Sequence, residues 1–128
     1  MPFAPTNPFV WIEIPVTDME KAVAFYSKVF GYDLKIDTTG PNPMAMFTAK
    51  DFQTGVAGHL YPGTPAAKGT GPTAHMEIAD TLDAAKARVI EAGGTIELDG
   101  AVVDIPAGSF CYATDPDGNS IGLFQPKG

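Results

Sequence analysis

One plan occurs twice along this chain, and it restricts the fold to architectures built from two matching halves. The first copy opens with FVWIEIPV, residues 9–16, where alternation puts Val10, Ile12, Ile14 and Val16 on one face of a strand. Phe9, Trp11, Glu13 and Pro15 take the other face, and the aliphatic face is expected to pack on a helix. That helix follows at once. Thr17 or Asp18 can cap it, Ala22, Tyr26, Val29 and Phe30 recur at helical spacing, and Gly31 stops it. Three extended segments come next, YDLKIDT, MAMFTA and GVAGHLY, separated by a Gly-Pro-Asn-Pro loop and a KDFQTG turn.

Near Thr73 the order returns, with AHMEIAD as strand, DTLDAAKARVIEAGG as helix and glycine stop, and TIELDG, GSFCYAT and NSIGLF as strands. Superposing the copies matches Asp18 with Asp80. After one extra residue in the second copy, Met19 meets Leu82, Ala22 meets Ala85, Tyr26 meets Val89 and Gly31 meets Gly94. Identity between the copies is thin, so the repeat rests on the order of elements. The expected fold is α+β: two βαβββ modules, about 7–61 and 73–126, in one domain. The Pro- and Gly-rich linker over 62–72 suits a connection that can also close over a pocket. In the second copy DPDG fits a type I turn, with Pro116 second and Gly118 fourth.

Charge and composition remove several function classes. A net charge of −7 with only eight scattered Lys and Arg argues against a phosphate backbone as partner. No apolar run reaches the roughly 20 residues of a membrane helix. The start of the sequence lacks the basic and apolar regions of a signal peptide, and the one cysteine, Cys111, has no internal partner. A cytoplasmic setting is therefore expected, with a small molecule as partner and neither nucleic acid nor membrane.

The repeated plan, the FVWIEIPVTDMEKAVAFYSKVFGYDL opening and the ATDPDGNSIGLFQP close together resemble the vicinal oxygen chelate superfamily of glyoxalases, bleomycin-resistance proteins and extradiol dioxygenases. Its most specific marks here are Asp18, Phe25, Tyr26, Phe30 and Gly31, and the Asp-Pro-Asp-Gly-Asn turn. The resemblance implies curved mixed sheets enclosing a central cavity, small members that pair as homodimers, and in the enzymes a divalent metal held by His and Glu from the first and last strand of each module. Aligned on these marks, the four ligand places fall on Trp11, Gly58, Thr73 and Gly122, none of them a ligand of that type. The expected consequence is a pocket without a metal. It would be widened by Gly58 and Gly122 and lined by Trp11, Glu13, Thr73, His75, Glu77 and Phe124, for a flat aromatic or cationic molecule.

Other readings stand beside this one. A one-residue change in register would let Glu13, His59 and His75 form a displaced site for Ni, Zn, Mn or Fe, with Glu77 nearby, and so support a metal-dependent lyase or isomerase of the glyoxalase type. Glu13, amid apolar neighbours, needs a partner, and His75 occupies its matching place in the second copy. The two are candidates for a structural pair or for a general base oriented by a carboxylate. If Gly58 faces the cavity, His59 lies on the helix side. Trp11 alone could be a core aromatic, Cys111 reads as an inert buried thiol, and a non-catalytic structural or interaction domain would have its cavity filled by side chains.

Overall fold

The computed structural model describes residues 2–51 and 53–128. Phe52, in the KDFQTG turn, and Met1 lie outside the described residues. Module one runs β1 (Trp11–Val16), α1 (Met19–Phe30), β2 (Ile36–Asp37), β3 (Met44–Phe47) and β4 (Ala57–Pro62). Module two runs β5 (Ala74–Glu77), α2 (Leu82–Glu91), β6 (Thr95–Ile96), β7 (Val103–Ile105), β8 (Gly108–Thr114) and β9 (Ser120–Pro126). The fold is α+β with two mixed sheets, as the repeated plan requires. The first is ordered β1-β4-β3-β2 and the second β5-β9-β8-β6, with β7 also on β8. In each sheet the first strand of the module pairs in parallel with the last, β1 with β4 and β5 with β9.

YDLKIDT and TIELDG depart from the expected extended runs, each supplying a strand of only two residues. TIELDG supplies only two strand residues before a left-handed 3-10 turn in which Leu98 and Asp99 take φ of 53° and 55°. Chain then returns as β7, an extra short strand that completes a hairpin with β8.

Helix α1 begins where Asp18 accepts a hydrogen bond from the Lys21 N–H at 3.1 Å and ends at Gly31, whose φ of 76° suits glycine. It buries the stripe Ala22, Phe25, Tyr26, Val29 and Phe30. Each of the larger members contributes about 1.5–3 kcal/mol relative to exposure. In α2 the cap is Thr81, not Asp80. Asp80 instead forms a bidentate pair with Arg88 at 2.8 Å, and the same Arg88 reaches the Val29 carbonyl at the end of α1. The helices pack on one another and share one core with the inner sheet faces, including Leu60, Cys111, Ile121 and Leu123.

The aliphatic face of FVWIEIPV is only half covered. Ile14 and Val16 are buried, while Val10 is 68% and Ile12 38% exposed. Helix α1 packs over β4, β3 and β2, and the core takes in only the C-terminal half of β1, Ile14 and Val16.

The DPDGN turn is the principal polar joint between the modules. Asp115, 3% exposed, accepts hydrogen bonds from the Tyr26 hydroxyl at 2.8 Å, the Asp117 and Asn119 N–H groups and the Asn119 side chain. Asn119 also donates to the Pro15 carbonyl, and Asp117 accepts from both the backbone and hydroxyl of Thr17. Burial and the neighbouring Asp115 carboxylate push the Tyr26 hydroxyl well above its usual range, so it stays a donor. A second tie runs from the Tyr32 hydroxyl to the Glu77 carbonyl at 2.6 Å.

Candidate functional site

The chemistry-bearing side chains stand on the sheet faces turned away from the helices. Parallel pairing sets each residue of a first strand beside one of the last strand, and side-chain alternation then puts every second residue on the outer face. In sheet one, Trp11 stands beside Ala57 and Glu13 beside His59; in sheet two, His75 stands beside Gly122 and Glu77 beside Phe124. These faces are open in the single chain, and Trp11 is 44% exposed.

Two expectations for β4 are reversed. Gly58 lies on the inner side, buried against β1, where a Cβ would overlap the Ile12 carbonyl oxygen. It does not widen a pocket. His59 is therefore on the outer face, and it is His59, not His75, that pairs with Glu13. The His59 Nε2 lies 3.2 Å from Glu13 Oε1, and its Nδ1 accepts the Trp11 indole N–H at 3.0 Å. An indole N–H only donates, so Nδ1 carries no proton and Nε2–H donates to the carboxylate. Both imidazole nitrogens are thus engaged by the protein. Trp11 is accordingly not a core aromatic but an exposed ring tethered by one edge.

Gly122 is on the outer face as expected, yet its missing side chain leaves no added room. The His75 ring occupies that space, and a Cβ at 122 would overlap its Nδ1. The imidazole sits edge-on to Phe110 and Tyr112, with centroids 4.7 and 5.6 Å away. Desolvation in this setting lowers its pKa below 6.5, which favours the neutral ring. Phe124 lies nearly parallel to Phe110, with centroids 6.4 Å apart, and its ring end rests over Gly108. Gly108 and Gly122 each give an aromatic ring a seat on the sheet. Phe110 and Tyr112 alternate in GSFCYAT just as Trp11 and Glu13 do in β1, and no motif marks them. The period-2 pattern beside Cys111 was the available signal.

The remaining candidates are scattered. Thr73 shares a 2.5 Å hydroxyl–hydroxyl hydrogen bond with Ser120, and Glu77 is exposed at the end of β5. Between β1 and β5, beneath linker residues Ala66, Thr70 and Gly71, lies an open cleft of about 180 Å³ that Ile12, Glu13 and Ala74 also line. Cys111 is buried, and burial pushes its thiol up.

Among the described residues no three His, Cys, Asp or Glu side chains converge to hold a metal ion. Glu13 and His59 meet, but His75 stands on the other sheet beside Gly122. With both His59 nitrogens already engaged, the donor set of one chain does not fit a divalent metal.

The sequence model of the Glyoxalase/Bleomycin resistance protein/Dioxygenase superfamily matches residues 9–123. The chain belongs to this superfamily. CFP32, a proposed glyoxylase of Mycobacterium bovis and of Mycobacterium tuberculosis, is 31% identical over 119 residues, which are 90% of this chain but 44% of CFP32. The chain thus spans less than half the length of these relatives. A glyoxalase/bleomycin resistance protein from Albidiferax ferrireducens T118 shares the fold, with a TM-score of 0.70 at 23% identity, covering 93% of this chain and 99% of that one. TnmS3, an antibiotic-binding protein from Streptomyces sp. CB03234, superposes with a TM-score of 0.63 at 28% identity, over 98% of this chain and all of that one. Among the described residues no helix is long and apolar enough to cross a membrane.

Proposed function

We propose that this superfamily member binds a small aromatic or cationic organic molecule on its outer sheet faces, without a catalytic metal. The observation that carries this reading is the make-up of those faces: rings from Trp11, Phe110, Tyr112 and Phe124, two imidazoles and a carboxylate, open rather than packed into a core. The likeness to TnmS3, which binds an antibiotic by its description, supports the same class of partner. A homodimer is part of the reading. Phe9, Val10, Ile12 and Val56 are exposed around the β1 edge, and a second copy would cover them. The buried, solitary Cys111 suits a reducing cytoplasm. The neutral His75 also favours a second reading, a metal-independent general base acting on the bound molecule.

Thermal unfolding with a panel of neutral aromatic and cationic compounds tests the reading. Binding raises the midpoint in a concentration-dependent way, Tyr112→Ala and Trp11→Ala reduce the rise, and EDTA leaves it unchanged. A rise that EDTA abolishes and Zn or Ni restores would overturn the metal-free reading. Elution at monomer mass across micromolar concentrations would overturn the dimer.

A further inference from the structure

We propose that Glu13 and Trp11 form a recognition site for an alkylated ammonium group, and that His59 is the residue that positions both. This inference rests on the small-molecule reading above and assigns the charge of the ligand and the end of the site that receives it.

The argument begins with how the hydrogen bonds of His59 are distributed. Its Nδ1 accepts from Trp11 and its Nε2–H donates to Glu13 Oε1, so the ring is held as one neutral tautomer. A neutral imidazole orients the carboxylate and leaves its negative charge uncompensated. No Lys or Arg among the described residues pairs with Glu13, and Oε2 has no hydrogen-bond or ion-pair partner there. The Glu13 side chain is 62% exposed, whereas His59 is 13% exposed, which makes the histidine the fixed member.

The same arrangement selects what Trp11 presents. Its only polar group is turned sideways to His59 on β4, so its exposed part is the apolar ring system, whose face attracts cations. Trp11 and Glu13 are two residues apart on one strand face, about 7 Å along the strand. A methylated ammonium group is of a size to touch both. A net charge of −7 draws such a cation toward the chain. A hard metal ion or a small alkylammonium differ here, because only the second gains from the indole face.

The chain carries one tryptophan, so its fluorescence reads this site directly. Choline is the probe, and 3,3-dimethylbutan-1-ol, its uncharged carbon counterpart, is the control. Choline should change Trp11 emission saturably, with the alcohol at least about tenfold weaker, and Glu13→Gln should weaken choline about tenfold. Gln at 59 can accept from the indole and donate to the carboxylate. His59→Gln should therefore retain most of the choline affinity, while His59→Leu loses it although Trp11 and Glu13 remain. Equal binding of choline and the alcohol, or unchanged affinity in Glu13→Gln, would overturn the cation assignment. Equal affinity in His59→Gln and His59→Leu would overturn the positioning role. Stabilisation by neutral 2-naphthol with no choline response would overturn this inference and leave the broader reading standing. Response to neither would overturn both.

Discussion

Modules one and two each place a glycine in their last strand, and the two glycines serve opposite ends. Gly58 faces inward, where the backbone of β1 approaches so closely that no side chain fits. Gly122 faces outward and supports an imidazole. The true counterpart of Gly122 in module one is His59, since His59 stands beside Glu13 and Gly122 beside His75, which hold matching places in the two first strands. At this shared point module one builds a hydrogen-bonded polar corner, and module two builds an aromatic apron around a ring that makes no hydrogen bond among the described residues. A duplicated frame has thus acquired two half-sites of different chemistry, one suited to charge and one to flat apolar surface.

Substitutions at these points sharpen or break the contrast. Gly58→Ala should cost about 3 kcal/mol in denaturant unfolding, because the obstructing Ile12 carbonyl is backbone and cannot swing aside. Asp115→Ala should cost about 2 kcal/mol by leaving the buried Tyr26 hydroxyl without its acceptor and loosening both modules together. Gly122→Ala should cost less than about 1 kcal/mol, because the obstruction is a side chain that can rotate outward. Its signature is elsewhere: the displaced His75 ring leaves its seat beside Phe110 and Tyr112 and gains hydration, and its titration, followed by NMR, moves up toward 6.5. If Gly58→Ala and Gly122→Ala proved equally mild, the two glycines would not differ as described. The smallest effect concerns pH. The folded-state pKa of His75 is lowered, so the folded protein binds fewer protons than the unfolded chain, and stability falls as pH drops through 6.5 toward the folded value. His75→Asn should remove that part of the slope between pH 7 and 5, well above the range where Asp80 and Asp37 titrate.

Periodicity and caps made most of the framework legible. The Asp18 cap, the Tyr26 stripe and the Gly31 stop are local signals, and the structure uses each of them as the sequence suggests. The faces of β4 were not legible. AGHL matches IGLF by eye, but a one-residue shift in a strand exchanges the two faces, and only the pairing with β1 fixes which way His59 points. The partner of Glu13 is not legible either, because matching places in two copies, Glu13 and His75, are not neighbours in space. Strand β7 and the left-handed turn at Leu98 and Asp99 carry no glycine or proline where they begin, so tertiary context overrides propensity there. The DPDGN motif was recognisable as a turn. Its role as a joint depends on Tyr26, Pro15 and Thr17, which no local pattern links to it.

That joint also shapes how the chain can fold. Its contacts link residues 89 to 104 positions apart, so the entropy of closing nearly the whole chain is lost before they form. Contacts of such long range slow folding. During synthesis the β1–α1 junction lacks its polar clamp until Asn119 has been added.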